Sequence, residues 1–247
     1  MQDRQIYRAQ YGAELETSYL RHEETDLAIC LPAGLWQPQL AQALSAHIVK
    51  LRVQLQGYIA QDPAFAASHT PHTPLAGAPA IAQAMAQAAA VAGVGPMAAV
   101  AGAFAQAAGE FLAGYSSQVI VENGGDIYLA TTKDRIVGIY AGSASPYSGN
   151  LGLKIVAKQQ PLGVCTSSGT VGPSYSYGKA DAAVILAADA LLADAAATAL
   201  GNRVRTPQDV GAAVEFAAAL PGVGGALVIC QKALAALGEI ELIDLAK

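Results

Sequence analysis

The sequence predicts an α+β protein in which helices pack on a mainly antiparallel sheet. Short β-rich runs follow one another between residues 117 and 157, and Gly, Asp and Pro turns separate them. Alanine-rich segments with helical spacing lie on either side of these runs. Residues 24–33 and 179–188 share Asp, Ala, Leu and Ala at equal offsets, and each stretch precedes a helical segment. This faint repeat suggests a duplicated strand–helix unit.

The first half of the chain predicts a hairpin, a loop and three helices. Residues 14–31 read as the hairpin, and helical spacing runs from Pro38 to about Tyr58. Residues 62–77 are rich in Pro, His, Thr and Ser, which predicts a loop. Two further helices are predicted at residues 78–92 and 96–113, the second with proline at its favoured first position.

The second half predicts a strand and two more helices before a closing strand pair. Residues 182–187 form an apolar strand that leads into a helix at 189–200, with Asp189 as its N-cap. A capping signature at Thr206–Asp209 opens the next helix. The runs GALVICQ and EIELIDL, residues 225–231 and 239–245, are expected to pair with each other.

Composition restricts the partners that the chain can have. It has 247 residues, 53% of them hydrophobic and 13% charged, with a net charge of −5. We expect one domain over residues 1–247, built from two pseudo-repeats, with material for a large core. An acidic chain without a basic run is not expected to bind nucleic acid. Its three widely spaced cysteines and polar N-terminus favour a reducing, cytoplasmic setting.

A long uncharged stretch raises the question of a membrane span. Residues 64–109 contain no Asp, Glu, Lys or Arg. Alanine dominates the stretch, and Gly93–Pro96 interrupts it, so no continuous run of about 20 strongly apolar residues remains. We therefore expect two small-residue helices packed on the sheet, and no membrane partner.

Asp194 and Thr198 are the candidate metal ligands. They stand four residues apart in an otherwise apolar helix, so they project from the same side. A carboxylate and a hydroxyl supply the hard oxygen donors that Mg²⁺ prefers. The alternative is structural, with Asp194 at an exposed helix edge and Thr198 bonded back to a carbonyl. The apolar neighbours favour the metal hypothesis because a buried carboxylate needs a partner.

Two turns are candidates for ligand binding. The first is the Asn-Gly-Gly-Asp turn between two β-rich runs, which is also typical of a plain hairpin. The second is a Thr-Ser-Ser-Gly turn, where small residues let main-chain amides approach an anion. The candidate cofactor-binding residues are therefore Asn123, Gly124, Gly125, Asp126, Thr166, Ser167, Ser168 and Gly169.

Two other functions are compatible with the same residues. Cys165 lies beside the hydroxyl-rich turn, so it is a second catalytic candidate after Asp194, as a persulfide carrier with a lowered pKa. Its ligand would then be a small anionic metabolite. Alternatively, the uncharged stretch at 64–109 could cover a partner surface in a non-catalytic scaffold. A homo-oligomer is compatible with either hypothesis.

Three motifs in order resemble those of the ApbE family, the FAD:protein FMN transferases. They are a helix, strand and Gly-Gly-Asp turn ending in VENGGDIYLA, the CTSSG segment, and DAAATAL at residues 194–200. The family also carries a His-Ile-x-(Asn/Asp)-Pro segment and a Lys-Gly pair. In this chain the segment that corresponds to the first of these, residues 173–181, is shorter and has no histidine. The segment that corresponds to the second, Val100–Gly102, has no lysine. The pattern indicates a compact branch of the superfamily.

The resemblance implies an ApbE-like fold with internal duplication. It also implies that Asp194 and Thr198 bind a divalent metal, Mg²⁺, beside the pyrophosphate of a flavin nucleotide, FAD or FMN. The activity that it implies is metal-assisted phosphoryl transfer, in which FMN is attached to a Thr or Ser of a target protein. The expected small-molecule partner is accordingly a nucleotide.

Overall fold

Two antiparallel sheets form the framework of the computed structural model, which describes residues 14–157, 161–170 and 176–245. The strands are β1 (Leu15–His22), β2 (Thr25–Pro32), β3 (Val119–Asn123), β4 (Asp126–Ala130), β5 (Arg135–Gly138), β6 (Leu151–Ile155), β7 (Leu162–Ser167), β8 (Ala182–Ala187), β9 (Val223–Cys230), β10 (Ala233–Gly238) and β11 (Glu241–Asp244). Eight of them form the larger sheet, in the order β1-β2-β3-β4-β7-β8-β9-β10, and the smaller sheet has the order β11-β6-β5.

Six helices are found in the described residues. They are α1 (Pro38–Gln61), α2 (Pro63–Ala67), α3 (Ala80–Ala92), α4 (Val100–Ala113), α5 (Ala190–Asn202) and α6 (Val210–Ala218), with short 3₁₀ helices at Pro96–Ala99 and Pro207–Asp209. The two helix N-caps predicted from the sequence are both formed. Asp189 caps α5 by accepting a hydrogen bond from the Leu192 amide at 2.8 Å, and Thr206 and Asp209 form a capping box.

The larger sheet separates two hydrophobic cores. One face packs against the helices, in a core that includes Leu44, Met85 and Leu112. The other face packs against the small sheet, in a second core that includes Ile120, Leu153 and Val184. Because the inner strand β8 is covered on both faces, all six of its residues are buried.

All neighbouring strand pairs in both sheets are antiparallel, which confirms the predicted α+β class with its mainly antiparallel sheet. The larger sheet consists of two successive four-stranded halves, β1–β4 and β7–β10. The strand–helix units of the sequence repeat are β2 with α1 and β8 with α5. Each repeat strand is the second strand of its half. A duplicated unit would have this arrangement, and the duplication itself stays a prediction.

The predicted closing strand pair is wrong. β9 pairs with Ala233–Gly238, after a two-residue turn in which Gln231 has a φ of 58°. The last strand, β11, instead pairs with β6 in the small sheet. The run ALAALG has few β-branched or aromatic residues, so its composition does not indicate a strand. Pairing with β9 overrides this weak propensity.

The predicted loop at 62–77 is more ordered than its composition suggests. It begins with the short helix α2, and the buried carboxylate of Asp62 anchors it. The Tyr58 hydroxyl donates a hydrogen bond to Asp62 at 2.7 Å, and His72 Nε2 lies 2.8 Å from the same oxygen. These contacts lower the pKa of Asp62 and join the loop to the end of α1.

Of the two alanine-rich helices, α4 packs on the larger sheet as predicted, whereas α3 packs mainly on α5 and on the 3₁₀ helix at Pro96–Ala99. Seven of the 13 residues of α3 and seven of the 14 residues of α4 are buried, including Met85, Ala89 and Leu112. Val91 is 40% exposed, so burial is not complete and the scaffold hypothesis stays a prediction. Within the described ranges, no single helix is long and apolar enough to cross a membrane. Ala80–Ala92 and Pro96–Ala113 reach that length and apolarity only as a pair, which is bent by 102°.

Candidate functional site

Helices α4 and α5 approach each other unusually closely at one point. A Cβ added to Gly102 would lie 2.1 Å from the carbonyl oxygen of Ala190 and 2.8 Å from the Cβ of Asp194. Only glycine is compatible with such a contact, because any side chain would collide with the backbone of α5. This contact positions Asp194 at the beginning of α4.

The Asp194 carboxylate accepts a hydrogen bond from the first turn of α4. Its Oδ2 lies 2.8 Å from the backbone amide nitrogen of Gly102. The side chain is 9% exposed, so the alternative of an exposed helix edge is wrong. Burial raises the pKa of Asp194 to about 7, although the amides of Gly102 and Ala101 oppose the shift by favouring the carboxylate.

The glycine-rich turn lies next to the same end of α4. Asn123 and Asp126 face each other across a two-residue hairpin turn, in which Gly124 and Gly125 have φ values of 70° and 112°. This is the plain Asn-Gly hairpin that the sequence also allowed. Asn123 Nδ2 donates to the carbonyl of Ala101 at 3.0 Å, so the turn is joined to the residue before Gly102.

A buried glutamate that the sequence analysis did not single out supports this turn. Glu122 Oε1 accepts a hydrogen bond from the amide of Gly125 at 2.7 Å, and its side chain is 1% exposed. The signal that could have indicated it is its place in the apolar run VIVEN, where an acidic residue is unusual.

The hydroxyl-rich turn adjoins the glycine turn. The amide of Thr166 donates to the carbonyl of Gly125 at 3.2 Å, and Cys165 is paired with Asp126 across β7 and β4. Asp126 is 8% exposed. Burial, followed by the nearby charge of Asp194, raises its pKa well above the ordinary range. Asn123–Asp126, Thr166 and Asp194 therefore converge around the beginning of α4.

The remaining residues of this turn extend along α5. A Cβ added to Gly201 would lie 3.7 Å from the hydroxyl of Ser167, near the end of that helix. The Ser168 hydroxyl and the Gly169 amide both donate to the carbonyl of Ala180, at 3.4 and 2.9 Å. The following segment, where the transferases carry their histidine, lies partly outside the described residues.

Thr198 follows Asp194 by one helical turn and is half-buried. That both oxygens reach one cation stays a prediction. Among the described residues, no group of three or more His, Cys, Asp or Glu side chains is arranged to hold a metal ion. Any ion here would therefore take one carboxylate, one hydroxyl and other oxygen ligands, which suits Mg²⁺ better than a transition metal.

Cys165 does not have the properties of a persulfide carrier. Its side chain is fully buried in β7, and its thiol donates to the carbonyl of Ala190 at 3.4 Å. Burial and the charges of Asp126 and Asp194 raise its pKa well above that of a free thiol. A sulfur carrier needs an accessible thiol with a lowered pKa. The sulfur-handling hypothesis is therefore wrong, and Cys165 is a packing residue of the core.

We expect no reactive thiol in the native protein. Cys30, Cys165 and Cys230 are all free and buried. A thiol-specific reagent at pH 8 should therefore modify none of them in the folded protein and all three after unfolding in guanidinium chloride. Rapid modification of Cys165 in the folded state would contradict this assignment.

Residues 8–241, nearly the whole chain, match the family model described as AbpE bacteria. The chain belongs to the AbpE family. This membership confirms the resemblance to the ApbE-like superfamily that the sequence motifs indicated. The AbpE chain is similar to a UPF0280 protein of Methanocella arvoryzae, with 45% identity over 194 residues and 78% of each chain covered. A UPF0280 protein of Methanopyrus kandleri is also 45% identical, over 79% of this chain and 76% of that one.

Solved structures resemble the AbpE chain in fold. The ApbE protein of Thermotoga maritima has a TM-score of 0.54 at 12% identity, with 90% of this chain and 96% of that chain covered. The apo form of the flavinyl transferase ApbE of Pseudomonas stutzeri has a TM-score of 0.50 at 11% identity, with coverage of 93% and 95%. At this identity the likeness concerns the fold alone, and it confirms the predicted ApbE-like fold.

Proposed function

We propose that this AbpE protein binds FAD together with Mg²⁺ and transfers the FMN half of the dinucleotide to an acceptor. The observation that carries the proposal is the pair of buried carboxyl groups at the beginning of α4. Asp126 and Asp194 are both more than nine-tenths buried. Within the described part of the chain, neither forms an ion pair with a Lys or Arg. A cation bound between these two groups would stabilise their ionised forms, which burial otherwise disfavours.

The available donors fit Mg²⁺. Asp194 and Thr198 would hold the ion, and the remaining coordination positions would be filled by water and by phosphate oxygens of the nucleotide. The Gly102 amide holds the Asp194 carboxylate in one orientation, and Asn123 fixes the neighbouring turn of backbone. When bound, Mg²⁺ would supply charge neutralisation for the pyrophosphate.

The two turns would line the flavin nucleotide. Gly124 has open space beside its Cα, because an added Cβ would meet nothing within 4 Å. The nucleotide would lie along Asn123–Asp126 and Thr166–Gly169, where small residues would let it approach the backbone closely. The resemblance supplies the acceptor class, a Thr or Ser hydroxyl of a target protein. Its oxygen would bond to the FMN phosphorus while AMP leaves.

The free cysteines fit the reducing, cytoplasmic setting expected from the sequence. The family and the fold relate the chain to ApbE proteins.

The test is a calorimetric titration of the purified protein with FAD, carried out once in Mg²⁺ and once in EDTA. We expect saturable binding in Mg²⁺ and its loss in EDTA. FAD incubated with the protein and Mg²⁺ should also release AMP when an acceptor is present. Absence of binding at millimolar FAD in Mg²⁺ would overturn the proposal. The control is Glu215→Gln on the exposed side of α6, which should bind like the wild type.

A further inference from the structure

β10 forms an open edge of the larger sheet. In the described residues it pairs only with β9, and the sheet ends there. Its sequence, ALAALG, contains no charged residue and no proline. Ala236 and Gly238 are exposed, and Leu237 is 46% exposed. Edge strands of monomeric proteins commonly carry charges, prolines or bulges that prevent pairing with another chain. This edge carries none of these within the strand.

The register shows which residues direct their backbone groups outward. A two-residue turn makes Cys230 and Ala233 the closing pair of the β9–β10 hairpin. Because hydrogen-bonded pairs alternate in an antiparallel ladder, Ala235 and Leu237 also bond to β9. Leu234, Ala236 and Gly238 therefore direct their amides away from it. The Gly238 carbonyl accepts a hydrogen bond from the Ile240 amide at 2.8 Å, so the free edge consists of Leu234, Ala236 and the Gly238 amide.

Symmetry then selects one pairing. A two-fold axis perpendicular to a sheet makes neighbouring edge strands antiparallel, and it places one residue opposite its own copy. Centring the axis on Ala236 puts Leu234 opposite Gly238 of the second copy. The Gly238 amide of each copy then meets the Leu234 carbonyl of the other, and the two Ala236 residues meet each other. The strand is preceded by Lys232 and followed by Glu239, and an antiparallel arrangement brings these opposite charges to the same ends.

We propose that two copies of this chain associate through β10, paired antiparallel about an axis at Ala236. The two eight-stranded sheets then form one continuous sheet, and Leu237 of each copy lies opposite Ala235 of the other. The contact is six residues long, so the interface is small and the dimer is concentration-dependent. This inference does not depend on the flavin proposal.

Sedimentation velocity over a range of protein concentrations tests the association. The wild type should shift from monomer to dimer as its concentration rises. Leu237→Lys, which places the charge typical of a protected edge at an already half-exposed position, should remain a monomer with an unchanged melting temperature. A wild type that stays monomeric up to its solubility limit would overturn the proposal, and so would a Leu237→Lys variant that still dimerises.

Disulfide trapping tests the axis itself. The three native cysteines are buried, so a cysteine introduced at the surface is the only accessible thiol. Ala236→Cys should form a covalent dimer rapidly under mild oxidation, because each sulfur faces its own copy. The control is Ala212→Cys on the exposed side of α6, which should not crosslink. Equal crosslinking by both variants, or none by Ala236→Cys in the dimer, would contradict this interface.

Discussion

Replacing Asp194 by Asn should weaken Mg²⁺-dependent FAD binding by at least about 100-fold, or ~2.7 kcal/mol. The reason is the loss of the only charged ligand that we assign to the ion. The amide oxygen of Asn can still accept the hydrogen bond from Gly102, so the contact between α4 and α5 is retained. Calorimetric titration in Mg²⁺ measures the effect, with Glu215→Gln as the control. Unchanged FAD binding by the Asn variant would contradict the assignment.

The same variant should not lose stability in the absence of metal. The pKa of Asp194 is raised to about 7 in the folded protein, whereas an unfolded Asp titrates near 3.9. Between these values the folded state holds more protons on Asp194 than the unfolded state does, so the contribution of Asp194 to the free energy of unfolding falls as pH rises. Asp126 acts in the same direction.

The Asp194→Asn substitution would remove the contribution of one carboxyl to that decrease. In EDTA, we therefore expect the variant to be at least as stable as the wild type at pH 8, and its stability to depend less on pH. Urea unfolding at pH 5 and pH 8 measures both quantities. A large loss of stability at pH 8 would show that the carboxylate serves the fold and not a ligand.

Gly102→Ala should destabilise the protein by about 2 kcal/mol or more, because the new Cβ would overlap the backbone of α5. It would lie 2.1 Å from the Ala190 oxygen, and a backbone atom cannot move away as a flexible side chain can. Separation of the helices would also lengthen the Gly102–Asp194 hydrogen bond. FAD binding should therefore weaken along with stability. Urea unfolding gives the first quantity, and titration gives the second.

The matched control for this change is Gly57→Ala. Gly57 lies inside α1, and an added Cβ would meet nothing within 4 Å. There alanine should stabilise by about 0.5–1 kcal/mol, because it restricts the unfolded chain and favours the helix. A Gly102→Ala protein as stable as Gly57→Ala would show that α4 and α5 do not approach as closely as described.

The elements with local signals could be predicted from the sequence. Asp189 caps α5, and proline begins the 3₁₀ turn before α4, because both effects depend on neighbouring residues. The pairing of β9 with β10, and not with the last strand β11, could not be predicted. Whether β9 pairs with residues 233–238 or 241–244 depends on contacts across the whole sheet, and the correct partner has the weaker strand composition.

In the candidate site, too, the features that depend on neighbouring residues could be predicted and the long-range contacts could not. The burial of Asp194 follows from its apolar neighbours in the helix. Its hydrogen-bond partner does not, because Gly102 is 92 residues away in the sequence. Cys165 was misassigned because the hydroxyl residues that follow it suggest exposure. It precedes that turn on an inner strand of the sheet, where both faces are covered.

The most direct test of the metal hypothesis is a crystal of the protein grown with FAD and Mn²⁺, which replaces Mg²⁺ and scatters anomalously. We expect one anomalous peak in contact with the Asp194 carboxylate and the Thr198 hydroxyl, with the pyrophosphate of FAD as a further ligand. FAD bound elsewhere, or bound at this cleft with no peak beside Asp194, would contradict it.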